Sequence, residues 1–337
     1  MARVLVTGGA GFIGSHTCLE LLAHDYEIVV ADNFSNSSPC VLDEVARLSG
    51  RKPDWFDVDV SDWPAVESLF ATQHIDAVVH FAALKAPRDS VGMPIEYYST
   101  NLVTTINLLR AMQKFDVRRM VFSSSCSIYG NAEVIPIDEL APPQPTNPYA
   151  RSKLMCEEML ADASLGHPDW SVMALRYFNP AGAHESGDLG EDPLGVPNNV
   201  MPYITQVAVG RLTKLSVFGG DYPTPDGSCI RDYLHVMDLA GAHRIALDQV
   251  YERRGYCGYN LGTGVGTSVL ELISMFERIS GVEIPYEIVS QRKGDVARLV
   301  ASPSRAEEEL GWKSQRDLES MCRDAWTFQS RHPLGIG

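Results

Sequence analysis

Residues 147–153 read NPYARSK, which sets the phenol of Tyr149 and the ammonium of Lys153 four residues apart. A proline-rich loop precedes the segment and an apolar helical pattern, LMCEEML, follows it, so the two side chains share one face of a helix. A free phenol, with a pKa of about 10, is a poor base at neutral pH. A fixed cation beside it favours the phenolate and lowers that value. Ser123, Ser124 and Ser125 end an apolar run, RMVFSSS, and a hydroxyl there can share a short proton path with a substrate oxygen. Such a set suits removal of an alcohol proton while a hydride leaves the same carbon. The spacing alone fits a structural pair equally well, so the surrounding elements decide.

A hydride needs an acceptor, and the run VTGGAGFIGSH supplies a place for one. It satisfies two glycine registers, Gly8, Gly11 and Gly14 as GxxGxxG or Gly9, Gly11 and Gly14 as GxGxxG. Binding a dinucleotide needs a tight turn, a backbone without Cβ against the pyrophosphate, and a helix amino terminus facing negative charge. A strand precedes this run, a helix follows it, and Asp32 ends the next strand 18 residues beyond Gly14. There its carboxylate can accept the adenine-ribose hydroxyls and repel a 2′-phosphate, which favours NAD over NADP. A nicotinamide carrying positive charge would add to the lowering of the Tyr149 pKa. Asp59 and Val60 end a third run and can meet the adenine, although Asp59 alone is equally a solvated loop acid. Phe81, Ala82, Ala83 and Lys85 end a fourth, under the pyrophosphate and nicotinamide ribose.

These positions presuppose alternating strands and helices. RVLVT (3–7), EIVVAD (27–32), WFDVDV (55–60), DAVVHFAA (76–83), RMVFSSS (119–125) and WSVMALRYF (170–178) read as strands. Helices fit at 12–24, after Pro39, near 94–114 and at 148–163. The strands are continuous apolar runs, as expected where helices cover both faces, so the fold class is α/β, a Rossmann-type doubly wound parallel sheet. After about residue 180 the chain turns rich in Gly, Pro, Asp and Asn, with one good helical candidate, NNVMPYITQVAVG. This predicts a dinucleotide-binding domain over 1–180, revisited near 232–265, and a smaller mixed α/β substrate domain over 181–337.

Composition narrows the partners. The 28 basic and 43 acidic side chains give a formal charge of −15, which argues against nucleic-acid or anionic-membrane surfaces. Seven cysteines show no CxxC pair, and the nine histidines show no metal-ligand spacing, so no metal site is expected. His80 and His235 read as structural histidines, and the acid pairs Glu157–Glu158 and Glu307–Glu309 as solvated helix faces. No apolar run approaches the roughly 18 residues of a membrane span, and the amino terminus has no leader pattern. The expectation is a soluble, cytoplasmic protein.

TGGAGFIG, HFAALK, FSSSCSIYG, NPYARSK and LRYFNPAGAH together resemble the extended short-chain dehydrogenase/reductase family. GVPNNVMPYITQVAVG, VFGGDYPTPDGSCIRDYLHVMDLA and YNLGTGVGTSVLEL are similar to its nucleotide-sugar 4-epimerase branch, so the likeness runs nearly end to end. The resemblance implies interconversion of UDP-galactose and UDP-glucose on tightly held NAD. Tyr149 is then the base, Ser125 bonds the same sugar oxygen, and Lys153 holds the nicotinamide ribose. It implies cofactor contacts at Phe12, Ile13, Asn33, Ser35, Asn36, Ser37, Ser123 and Phe178, and a bracing role for Asn101. Arg231 and Arg292 become the diphosphate ligands, although Arg231 could instead pair with Asp232. Asn179 and Asn199 face sugar or phosphate, Ser216 and Phe218 the uracil, and Asp295 the uridine ribose. Leu299 takes a position where bulk controls access of N-acetylated sugars. Cys126 and Ser127 replace the Asp-Glu of dehydratases, which argues against water loss. A homodimer through helices 94–114 and 148–163 is implied as well. The alternatives are a 4-epimerase of another UDP-sugar, a net dehydrogenase, or a silent NAD-binding regulator, which commonly lacks the Tyr/Lys pair.

Overall fold

Apart from the edge strand at 54–57, strand interiors in the first half are apolar and buried on both faces. The computed structural model describes residues 2–292 and 294–336. The chain runs β1 (Arg3–Thr7), α1 (Phe12–Ala23), β2 (Glu27–Asp32), α2 (Cys40–Ser49), β3 (Asp54–Asp57), α3 (Trp63–Thr72) and β4 (Ala77–His80). Next come α4 (Pro87–Gly92), α5 (Pro94–Lys114), β5 (Arg119–Ser125), α6 (Pro148–Gly166) and β6 (Ser171–Tyr177). Val4, Val6 and Val30 join one apolar cluster, while Leu5, Val29 and Ala31 join another across the sheet. Two covered faces explain why these strands carry no polar alternation.

Beyond β6 lie β7 (Asn179–Ala181), α7 (Val200–Ala208), β8 (Leu215–Phe218), β9 (Ile230–His235), α8 (Val236–Glu252) and β10 (Gly255–Leu261). The chain ends with β11 (Gly266–Ser268), α9 (Val269–Ser280), β12 (Tyr286–Val289), β13 (Arg298–Leu299), α10 (Ser304–Leu310) and α11 (Leu318–Arg331). Seven strands form one parallel sheet in the order β10-β6-β5-β4-β1-β2-β3. The order reverses between β1 and β4, which opens a crevice at their carboxyl ends. A smaller mixed sheet has β9 between β11 and β13, with β7 also pairing β9, and β8 pairs with β12. Its core, with Ile204, Val217, Phe276 and Met321, is separate from the two flanking the large sheet.

Two strands are shorter than their apolar runs. β3 ends at Asp57 because its only neighbour, β2, ends at the paired Asp32; Val58 N–H makes a last bond to the Asp32 carbonyl. Asp59 and Val60 therefore sit in the turn beyond the strand. β4 ends at His80 because Phe81 and Ala82 both turn their N–H groups onto the carbonyl of Thr7. Among the described residues, no helix is long and apolar enough to cross a membrane, and no cluster of three His, Cys, Asp or Glu could hold a metal ion.

Several histidines are built into this frame. His80 Nδ1 meets Thr7 Oγ1 at 2.7 Å, His235 Nε2 meets Asp324 at 3.0 Å, and His16 and His243 bond helix carbonyls. Burial pushes His16 and His80 down to about 3 and His243 to about 4. They are neutral in the fold, whereas the unfolded chain takes up protons near pH 6.5. Their contribution is complete above that value and is lost as pH falls toward 4. Unfolding free energy should therefore drop below pH 6.5 by about 1.4 kcal/mol per pH unit for each such histidine. Denaturant titrations between pH 7 and 4 test this, and His243→Leu should flatten the slope by about one proton's share.

Candidate active site

Glycine geometry brings β1, β4 and α1 together at the crevice. Gly8 has φ +70°, and a Cβ there would lie 2.8 Å from Ala82 N; a Cβ on Gly14 would lie 2.2 Å from the Gly8 carbonyl oxygen. No side chain larger than hydrogen permits this packing. Gly11 is the N-cap of α1, whose first turn holds no acid, so its leading N–H groups are available to an anion. Asp32 is buried against the turn, accepting Ala10 N–H at 3.0 Å, Phe34 N–H at 3.0 Å and Ser37 Oγ–H at 3.1 Å. Four acceptor positions on a carboxylate leave room for one further donor. Asn33 Nδ2 reaches Asp59 at 3.3 Å, and Ser35 N–H caps the Asn33 side chain, with Asn36 exposed beside them. Burial raises the Asp59 pKa, but hydrogen bonds from Ser61 and Asn33 outweigh it and hold the carboxyl below its ordinary value.

The Tyr149 helix is started by two local signals. Asn147 Oδ1 accepts Ala150 N–H at 2.9 Å, and Pro148 occupies the first helical position. That puts Tyr149 and Lys153 on the first turns of α6, both buried beside the end of β5. Lys153 Nζ donates to the Ser123 carbonyl at 2.6 Å and lies 4.8 Å from the Phe122 ring centroid. Ser123 also bonds the Tyr177 hydroxyl. Ser125 Oγ accepts from Ser127 N–H at 3.2 Å and from Ser127 Oγ at 2.9 Å, which leaves its own proton to donate. Asn101 is buried and bonds both polar groups of the Leu84 backbone and Ser152 Oγ, tying the loop after β4 to α6.

Burial pushes the Tyr149 phenol up to about 12; a Ser125 side-chain hydrogen bond pulls the other way, while Cys126 and Tyr97 add to the rise. Burial likewise draws the Lys153 ammonium down to about 8. In the protein's own field desolvation therefore dominates the ionisation of both groups.

Across the crevice, Arg231 on β9 is only 9% exposed and donates to the Ile230 carbonyl at 2.9 Å. No acid lies within ion-pair distance of it among the described residues. Asp232 points elsewhere, accepting Thr263 N–H at 2.8 Å, Gly264 N–H at 2.9 Å and Ala301 N–H at 3.1 Å. The RD ion pair is thus excluded by strand alternation, which sends neighbouring side chains to opposite faces. Arg292 stacks 3.7 Å from the Phe218 ring centroid, and burial lowers its pKa against the pull of Asp295. Ser216 shares the Phe218 face of β8. Leu299 pairs with Arg231 in register and clusters with Cys126 and Phe178, the residues following Ser125 and Tyr177. Asn179 lies on β7 opposite Tyr233, and Asn199 heads α7. Thr146 Oγ donates to the Gly294 carbonyl at 3.1 Å, joining the Arg292–Asp295 loop to the segment that starts α6.

Residues 4–262 match the family described as NAD dependent epimerase/dehydratase. The chain belongs to that family. It is 53% identical over 332 residues to UDP-glucose 4-epimerase of Bacillus subtilis (strain 168), with 98% of each chain covered. It is 49% identical over 344 residues to UDP-glucose 4-epimerase of Mus musculus, covering 100% of this chain and 99% of that one. Its structure is similar to that of UDP-glucose 4-epimerase from Bifidobacterium longum in complex with NAD+ and UDP, with a TM-score of 0.97 at 47% identity, covering 99% and 100% of the chains.

Within this family member, one group was missed by sequence reasoning. Glu157 is 3% exposed, not a solvated helix acid. It accepts from Arg176 Nε at 3.0 Å and Nη2 at 2.6 Å, from Tyr256 OH at 2.7 Å and from Ser124 Oγ. Arg176 also donates to Tyr129 OH at 2.8 Å, which donates to Asn260. The available signal was phase: Glu157 falls one turn after Lys153, on the same face of α6. Glu157→Leu should cost about 3–5 kcal/mol, because it strands a buried guanidinium. Glu157→Leu with Arg176→Met should regain most of that stability in denaturant unfolding.

Proposed function

We propose that this chain interconverts UDP-galactose and UDP-glucose, with NAD held as a tightly bound group. The observation that carries the reading is the meeting of Tyr149, Ser125 and Lys153 at the crevice with two arginines on the facing wall that make no ion pair among the described residues. The family and the 4-epimerase relatives, similar along the whole chain, support it. The glycine turn, the open start of α1 and the remaining acceptor position of Asp32 fit a dinucleotide, flanked by Val60 and by Phe81, Ala82 and Ala83. NAD bound there would supply a positively charged hydride acceptor that later returns the hydride.

Tyr149, acting as the phenolate, takes the proton of the sugar 4-hydroxyl as the C4 hydride leaves, while Ser125 donates a hydrogen bond to the same oxygen and keeps its proton. Burial makes the phenol reluctant to ionise, so Lys153, already held by the Ser123 carbonyl, is the protein's fixed source of opposing charge. Arg231 and Arg292 grip the diphosphate, with Asn179, Asn199, Ser216, Phe218 and Asp295 positioning sugar and uridine. Anchored at the diphosphate, the 4-keto sugar turns its other face toward the cofactor, and Tyr149 returns the proton. Two copies pair through α5 and α6, whose Ile95, Ile106 and Met155 are exposed apolar side chains. Seven cysteines without a disulfide suit the cytoplasm.

Purified protein given UDP-galactose without added NAD should form UDP-glucose with no net NADH; a stoichiometric oxidised product would overturn the proposal. Tyr149→Phe should retain nucleotide and lose about 10²–10⁴-fold in kcat. Leu299→Tyr should selectively reduce turnover of N-acetylated UDP-sugars, read from competing product formation.

A further inference from the structure

Glu191, in the loop between β7 and α7, carries no motif signal, yet it sits where the two sides of the cleft meet. Its side chain is 8% exposed, and Oε2 is buried with no hydrogen-bond partner among the described residues. Oε1 accepts Nδ2–H of Asn199 at 2.7 Å and lies 3.9 Å from Lys85 Nζ. Lys85 comes from the loop after β4 of the large sheet, Asn199 from the head of α7 in the smaller region.

Asn199 behaves unusually for its place. It is the N-cap residue of α7, with extended backbone, but its side chain accepts no bond from the first turn. Asparagine is favoured at such positions because its oxygen satisfies one of those N–H groups. Here the amide is turned to Glu191 instead. A carboxylate only accepts, so Nδ2 must face it, and Oδ1 is left free as an acceptor. A buried carboxylate with an unsatisfied oxygen is a stability cost that invites explanation. Burial raises the Glu191 pKa, with Lys85 and then Asn199 opposing the shift.

We infer that Glu191 is a positioning residue that fixes the Asn199 amide, presenting its Oδ1 to a hydroxyl of the bound sugar, and links that wall to Lys85. This rests on the substrate role proposed for Asn199. Of the two contacts the amide bond dominates: it is short and charge-assisted, whereas the lysine is half exposed and distant.

Kinetics on UDP-galactose for Glu191→Ala, Glu191→Gln, Asn199→Ala and the double alanine variant test this, alongside nucleotide content and unfolding midpoints. Glu191→Ala should raise KM about fivefold, one hydrogen bond's share, with kcat and nucleotide retained. Glu191→Gln still accepts from Asn199 and should restore most of that KM. It should also melt no lower than the parent, since it removes a buried charge; an acid kept only for stability would lose stability. The double variant should be no worse than Asn199→Ala. An unchanged KM in Glu191→Ala beside a raised KM in Asn199→Ala, or additive effects in the double variant, would overturn the clasp. An unchanged KM in Asn199→Ala would instead overturn the substrate role of Asn199, and the inference with it.

Discussion

The buried pair of Glu157 and Arg176 joins the helix that carries Tyr149 and Lys153 to the strands beneath it. Glu157 bonds Ser124 of β5, Arg176 of β6 and Tyr256 of β10, so three neighbouring strands are read by one carboxylate. Turn by turn, α6 then presents Lys153 to the Ser123 carbonyl and Tyr149 beside Ser125. Pairs of this kind bring little net stability relative to apolar packing, but breaking one is severe, which makes them suited to fixing register. Fixed register is what a proton transfer needs, since the phenol and the serine hydroxyl must reach one substrate oxygen.

Burial governs the rest of the electrostatics. It lifts Tyr149, lowers Lys153 and Arg292, and lifts Glu191, each against its nearest partner. Groups so placed respond strongly to any charge that enters the cleft, because little water screens them. An anionic diphosphate would meet Arg231 and Arg292, neither ion-paired among the described residues, and a cationic ring would meet a phenol pushed away from ionisation. The arginine wall of the cleft is thus electrostatically suited to an anionic ligand.

Much of this was legible in the chain. The six strands of the first half followed from apolar runs, and the glycine turn from residue type, because both rest on local constraints. The ends of β3 and β4 did not, since pairing partners decide where a ladder stops. Of the site residues, Tyr149, Lys153 and the serines are spaced along elements whose periods are known. The pairing of Arg231 was left open, and only the strand alternation that sends Asp232 to Thr263 and Gly264 resolved it.

The sequence by itself determined which chemical groups are present and which elements carry them: a glycine turn, an acid after β2, hydroxyls at the end of β5, and a phenol and an ammonium on one helix face. Tertiary structure alone decided their state. A buried phenol is not the phenol of a peptide, Glu157 is a strut and not a surface acid, and Glu191 meets residues 106 and 8 positions away in the chain. The physical reason is the same in each case. Periodicity records which face a residue takes, but desolvation and partnership depend on what the rest of the chain packs against that face.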